Sequence, residues 1–193
     1  MNGTERSGRE RILQEAAQLF VSQGYNGISM REIGDASGMT KAALYYHFKD
    51  KQDLLREIIK TTLANTKERF EKTALGSDTI REQISSLINE IFLQRPEERG
   101  ILHLIFVEAP HLDESLRKEI TCIYHDQFLS VIENLLQAGI ERGEIKLVEP
   151  RLGARLLLGM MYPFIHPRHT ETQAERQKAV DLMVSIFFDG VRS

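Results

Sequence analysis

Lys41, Tyr45 and Tyr46 fall at i, i+4 and i+5 of one short segment, with Thr40 just before them and His47 and Lys51 just after. An ammonium, two phenol hydroxyls and an imidazole suit hydrogen bonding to phosphate oxygens and base edges, which is binding chemistry rather than bond making. At about 100° per residue, Leu44 and Phe48 share one face of a helix over this segment, Ala42 and Tyr46 lie roughly opposite, and Tyr45 lies to one side. With Leu44 and Phe48 turned inward, the tyrosines point outward. The first turn of the next helix, which holds Lys51, could itself cradle a phosphate on its backbone amides. This positive charge is local, because 25 Lys and Arg against 28 Asp and Glu leave the 193-residue chain at −3, with no general basic field.

Other chemistries find no support. The chain has no Gly-rich phosphate loop, nucleophile elbow or paired-carboxylate signature. His103, His111, His125, His166 and His169 lack a compact ligand spacing, so no metal and no cofactor is expected. Cys122 is the only cysteine, which excludes an intramolecular disulfide and a Cys-rich zinc motif and fits a reducing cytoplasm. Hydrophobic residues at 41% and charged residues at 27% are those of a globular chain. Met1 to Glu10 has no apolar stretch for a leader peptide. The longest apolar run, Leu156 to Ile165, falls short of the roughly 20 residues that cross a bilayer. A soluble, cytoplasmic protein without a membrane partner is expected.

The elements that must position these groups are all helical. Leu13, Ala16, Ala17 and Phe20 keep helical spacing behind Ser7 and Glu10, which are spaced as a capping box, and Gly24 stops them. Ser29 and Glu32 open a short helix that ends by Gly38, and Thr40 caps a third from Lys41 to Phe48. Asp50 and Asp53 start a fourth through Leu54, Leu55, Ile58, Ile59 and Leu63. From Ser77 longer helices follow: Ile80 to Ile91; Ile101 to Ala109, apolar almost all round and therefore expected to be central; a long one capped by Asp113 with Leu116, Ile120, Ile123, Val131 and Leu135 on its stripe; one from Pro150 to about Tyr162; and a last from about Thr172. No segment alternates with period two. The reading is an all-α chain, with a helix-turn-helix domain over 1–53 and a second helical domain over 54–193.

The string Ala16-Ala17-Gln18-Leu19-Phe20, Gly24-Tyr25, Ser29-Met30-Arg31-Glu32-Ile33, Gly38 and Lys41 to Phe48 followed by Lys51 resembles the DNA-binding domain of the TetR family of bacterial transcriptional regulators. The resemblance covers about the first quarter of the chain. It implies about nine helices: three in the DNA-binding part, a fourth joining the domains, and the last two making a homodimer interface. Carried over by position, Lys41, Ala42 and Tyr46 lie where family members reach base edges or adjacent phosphates, with Ser29 and Arg31 approaching from the second helix. Thr40, Tyr45, His47 and Lys51 lie where phosphates of a double-stranded operator are contacted.

In the second domain, large apolar and Met side chains mixed with a few polar ones suggest a chamber for a small, largely apolar effector. Its expected lining is Phe92, Phe106, Phe128 and Met161, with His103, Glu108, Tyr124, Gln127 and Tyr162 as polar anchors. The two-fold contact is expected from Leu156 and Met160 with Val180, Met183, Val184 and Phe187. The resulting expectation is a homodimeric regulator, a repressor, released from its operator when the effector enters. One rival is a DNA-binding protein governed by a protein partner or serving a structural role, which a filled second domain would favour. The other is an all-helical enzyme, which a metal or an acid-base pair in the pocket would favour.

Overall fold

Four helices open on reciprocal capping boxes: Ser7 with Glu10, Ser29 with Glu32, Thr79 with Glu82, and Thr172 with Glu175. Each box satisfies backbone donors that a helix start otherwise leaves open. Pro96 and Pro150 occupy the first positions of two more, where proline's missing N–H costs nothing. The computed structural model describes residues 7–74, 78–146, 149–165 and 172–191. Ser77, His166 and His169 lie outside the described residues.

Among those residues every regular element is helical. The helices are α1 (Gly8–Gln23), α2 (Met30–Ser37), α3 (Lys41–His47), α4 (Lys51–Ala74), α5 (Ile80–Leu93) and α6 (Pro96–Glu108). The seventh, α7, runs over 114–141 as Glu114–Tyr124, a π turn at His125–Leu129, and Ser130–Glu141. Then come α8 (Pro150–Met161) and α9 (Gln173–Val191). Counting α7 once gives nine helices among the described residues, and short 3₁₀ turns follow α6 and α8.

One hydrophobic core runs the length of the chain through α4, whose Leu54, Leu55, Ile58, Ile59 and Leu63 are all buried. The start of α4 is tied to the start of α7: Gln52 donates to Asp113 at 2.7 Å, and the Arg56 guanidinium meets Glu119 at 2.6 Å and Asp53 at 3.2 Å. On the other side α1 lies against α6 at backbone range. A methyl added to Gly100 would come within 2.4 Å of Val21 Cγ1, and one on Gly24 within 2.9 Å of Glu108 Oε1.

Three expectations change. The stripe of α7 slips by one residue, so that Ile132 and Leu136 are fully buried while Val131 and Leu135 are only partly so. The π turn is the reason, since its wider loop of backbone delays the following turns. The end of α6 is not central: Ile101, Leu102, Leu104 and Ile105 are buried, but Phe106 and Val107 are exposed. On α9, Val180, Met183, Val184 and Phe187 are buried within the single chain, where α9 packs on α5. Their side chains are taken up by the chain's own core. The apolar residues that face outward are Leu152 and Leu156 on α8 and Leu182 and Ile186 on α9, each more than half exposed, with Met160 partly covered.

Candidate nucleic-acid interface and effector chamber

Helices α2 and α3 meet at a tight corner. Gly38 ends α2 at φ 64°, and its N–H donates back to the carbonyls of Gly34 and Asp35. Only glycine takes that left-handed conformation without strain. Thr40 then caps α3 by accepting from the Ala43 N–H at 3.2 Å. Leu44 and Phe48 are about 1% exposed, which fixes the rotation of α3.

With that face anchored, Lys41, Ala42, Tyr45 and Tyr46 are exposed together, and Tyr46 at 85% is the most exposed large side chain of the group. The Lys41 ammonium sits 5.9 Å from the Tyr45 ring, and the half-buried His47 ring stands edge-on to Tyr46. Ser29, Arg31, Lys41 and Tyr45 rim a hollow of about 280 Å³ between α2 and α3. Arg31 is almost wholly in solvent, within 3.8 Å of Asp35. Eight of the nine residues expected at DNA are thus on or beside one surface. Met30 and Met39 also line the hollow, and nothing in their apolar side chains marks them for such a surface.

Lys51 is the exception. Its ammonium points inward, donating to the carbonyls of Tyr25 at 3.0 Å and Ile28 at 2.9 Å, and lies 4.4 Å from the centre of the Tyr25 ring. Burial holds that ammonium below the usual lysine range, against the pull of the Glu32 carboxylate. Its geometry pins the loop between α1 and α2 to the start of α4 and leaves little of the charge for a phosphate. Lys51→Met should therefore lower the unfolding free energy by about 1–2 kcal/mol in urea titrations, for two lost hydrogen bonds. The slope of log affinity against log salt should change by well under the roughly one unit that a lost phosphate contact gives.

In the second domain the expected lining comes together. Phe106, Tyr124, Phe128 and Met161 converge with Leu102 and Leu158 on a cavity of about 10 Å³, room for about one water molecule. Tyr124 packs against both Phe128 (5.4 Å between centroids) and Phe106 (5.7 Å). His103 stacks on Tyr162, which stands edge-on to Phe106, so these rings close the chamber on its outer side. Phe92 packs nearby on Phe164. Glu108 is elsewhere, with its carboxylate at Gly24 of the DNA-binding part.

Among the described residues, the buried Tyr124 hydroxyl and Gln127 Oε1 find no hydrogen-bond partner. Burial alone pushes the Tyr124 phenol well above the usual tyrosine range. Both residues belong to or adjoin the π turn, a local geometry frequent at functional sites. No group of three or more His, Cys, Asp or Glu side chains that could hold a metal occurs among the described residues, and no described helix is long and apolar enough to cross a membrane.

Comparison with known proteins agrees over most of the chain. Residues 12–58 match the family model for bacterial regulatory proteins of the tetR family, and residues 77–166 match that for the tetracyclin repressor-like C-terminal domain. The probable HTH-type transcriptional regulator YttP of Bacillus subtilis is 21% identical over 189 residues, covering 96% of this chain and 91% of its own. The crystal structure of AibR in complex with isovaleryl coenzyme A and operator DNA is 26% identical, covers 94% of this chain and 98% of its own, and superposes with a TM-score of 0.75. FadR of Bacillus subtilis in complex with stearoyl-CoA is 20% identical with a TM-score of 0.80, over 95% of this chain and 99% of its own. With both halves matched in order and the corner of α2 and α3 built as described, the chain belongs to the TetR family of bacterial transcriptional regulators.

Proposed function

We propose that this DNA-binding regulator is a repressor released by a small effector, with an apolar body and one hydrogen-bonding group, that opens the chamber around Tyr124. The orphaned Tyr124 hydroxyl carries the reading. A second domain without an effector would be filled, as this one nearly is, but it would have no reason to keep a buried hydroxyl without a partner, which costs about 1–3 kcal/mol. An effector that supplies an acceptor there recovers that cost. Binding must favour the open form, and the shift in operator affinity is limited to the difference in the effector's affinity for the two forms. Acyl thioesters lead the probes because AibR and FadR carry them. No catalytic step enters this reading.

DNA recognition is assigned to Lys41, Ala42, Tyr45 and Tyr46 with Ser29, Arg31, Thr40 and His47 around them. The domain boundary is placed at 53/54, inside α4. Regulators of this family work as dimers, and the face assigned to the two-fold contact is Leu152, Leu156, Leu182 and Ile186, which an isologous four-helix interface would cover.

The test is thermal unfolding across isovaleryl-CoA, stearoyl-CoA and a set of free acids, followed by operator release with any hit. A ligand that raises the melting temperature and releases DNA supports the reading, whereas no shift with any ligand sinks it. Tyr124→Phe gives an independent check. Deleting the unpartnered hydroxyl should raise the stability of the free protein by about 1 kcal/mol and weaken the effector's action about tenfold, as read by urea unfolding and effector titration.

A further inference from the structure

A hollow much roomier than the Tyr124 chamber lies at the junction of the effector domain with the DNA-binding part. Between α1, α4 and α6 is a cleft of about 400 Å³, in the size range of small-molecule sites. Each helix gives it one coherent face. Residues 10, 13, 14, 17 and 18 of α1 keep i, i+3, i+4, i+7 spacing, as do 58, 61, 62 and 65 of α4.

Packed helices normally press such stripes together as apolar surface. Here Ile58 is followed along α4 by Thr61, Thr62 and Asn65, all on the cleft wall. Farther along, α1 and α6 close up, at Val21 with Gly100 and at Gly24 with Glu108. The floor is apolar, made by Leu13, Ala17, Ile58 and Ile101.

The charge on the walls is negative. Glu10, Glu97 and Glu98 line the cleft against the single cation Arg95. Glu98 is already satisfied: burial opposes its ionisation, but the hydrogen bond from Arg95 at 2.8 Å and the charge of Arg69 at 3.0 Å outweigh that and hold its carboxyl below the usual range. Arg95 is thereby turned toward Glu98, with its charge still reaching Glu97. Glu97, half-buried, makes no direct ion pair among the described residues and feels Arg95 only through space, and Glu10 accepts only a backbone N–H, from Ser7 at 2.9 Å.

We propose that this cleft is a second ligand site, for an organic cation whose apolar body rests on Leu13, Ala17, Ile58 and Ile101 and whose ammonium meets Glu97 and Glu10. Thr61 and Asn65 offer hydrogen bonds along the side. An anionic ligand is disfavoured by the same carboxylates, so the site differs in chemistry from the Tyr124 chamber. Because its walls belong to both domains, an occupant there shifts operator affinity. That regulatory half rests on the operator-binding reading, and the binding half does not.

The experiment is calorimetric titration of the full chain with three ligands of one shape: phenylbutylamine, phenylbutanol and phenylbutyrate. The amine should bind once per chain, the alcohol about tenfold more weakly for loss of the charge-assisted contact, and the acid not at all. Glu97→Gln should bring the amine down to the level of the alcohol. Thr61→Trp, at an exposed position, should fill the cleft and remove both, and Asn65→Trp serves the same end if that variant does not fold. Amine binding no tighter than that of the alcohol, or unchanged in Glu97→Gln or the tryptophan variant, overturns the site. Operator affinity that is the same with and without saturating amine overturns the regulatory half. Tyr46→Ala, which should lose operator and keep the amine, separates failure of the site from failure of the DNA reading.

Discussion

A chain carrying Lys41→Ala together with Tyr46→Ala loses operator affinity by about two orders of magnitude or more and unfolds at the temperature of the unaltered protein. The affinity loss follows from exposure. Both side chains stand on the outward face of α3 and take no part in packing Leu44 and Phe48, so their removal leaves α3 in place. A contact to a base edge or adjacent phosphate is worth about 1–3 kcal/mol, and two such losses exceed the 2.7 kcal/mol or so that corresponds to a hundredfold. In a dimer each loss occurs twice. The measurement is fluorescence anisotropy on a fragment selected from genomic DNA, at two salt concentrations, with circular dichroism melting alongside. Near-unaltered affinity in the double variant would remove α3 as the reading helix.

Neighbouring residues of α9 should behave in opposite ways. Phe187→Asp should unfold the chain: the ring is 5% exposed and packs edge-on to Phe188 at 5.5 Å. Emptying such a site costs about 3–5 kcal/mol, and an unpaired buried carboxylate adds to it, against a total stability of about 5–15 kcal/mol. Ile186→Asp should leave the fold intact, because that side chain is 57% exposed, yet dissociate the dimer and with it tight operator binding. Melting curves and sedimentation at micromolar concentration read the two outcomes. A well-folded Phe187→Asp chain, or an Ile186→Asp chain that remains dimeric, contradicts the assignment of faces.

The contrast between residues 186 and 187 shows where sequence reasoning stops. Periodicity finds a broad apolar stripe on α9, but a helix wedged between its own core and a twin subunit is apolar on two sides, and spacing does not say which side is which. The caps at Ser7 and Ser29, whose rule the boxes at Thr79 and Thr172 also follow, were legible because a Ser three residues before a Glu has a local hydrogen-bonding use. So was the phase of α3, which two apolar residues four apart determine. The π turn at 125–129 was not, since it changes the register of Ile132 and Leu136 without any distinctive residue. The direction of Lys51 was hidden for a related reason. A lysine near a recognition helix reads as a phosphate ligand, and only the fold reveals the carbonyls of Tyr25 and Ile28 waiting for it. Glu108 was placed in the chamber for its helix, but it lies on the opposite, domain-facing side.

A methyl's width of slack is missing between Gly100 of α6 and Val21 of α1, and the Glu108 carboxylate leaves as little at Gly24. Across the domain junction these two helices therefore bear on each other with no compressible layer between them, and close-packed interiors transmit strain rather than absorb it. Leu44 and Phe48 of α3 share one continuous core with Ile12, Ala16 and Phe20 of α1, so a displacement of α6 at Gly100 is felt at the recognition helix.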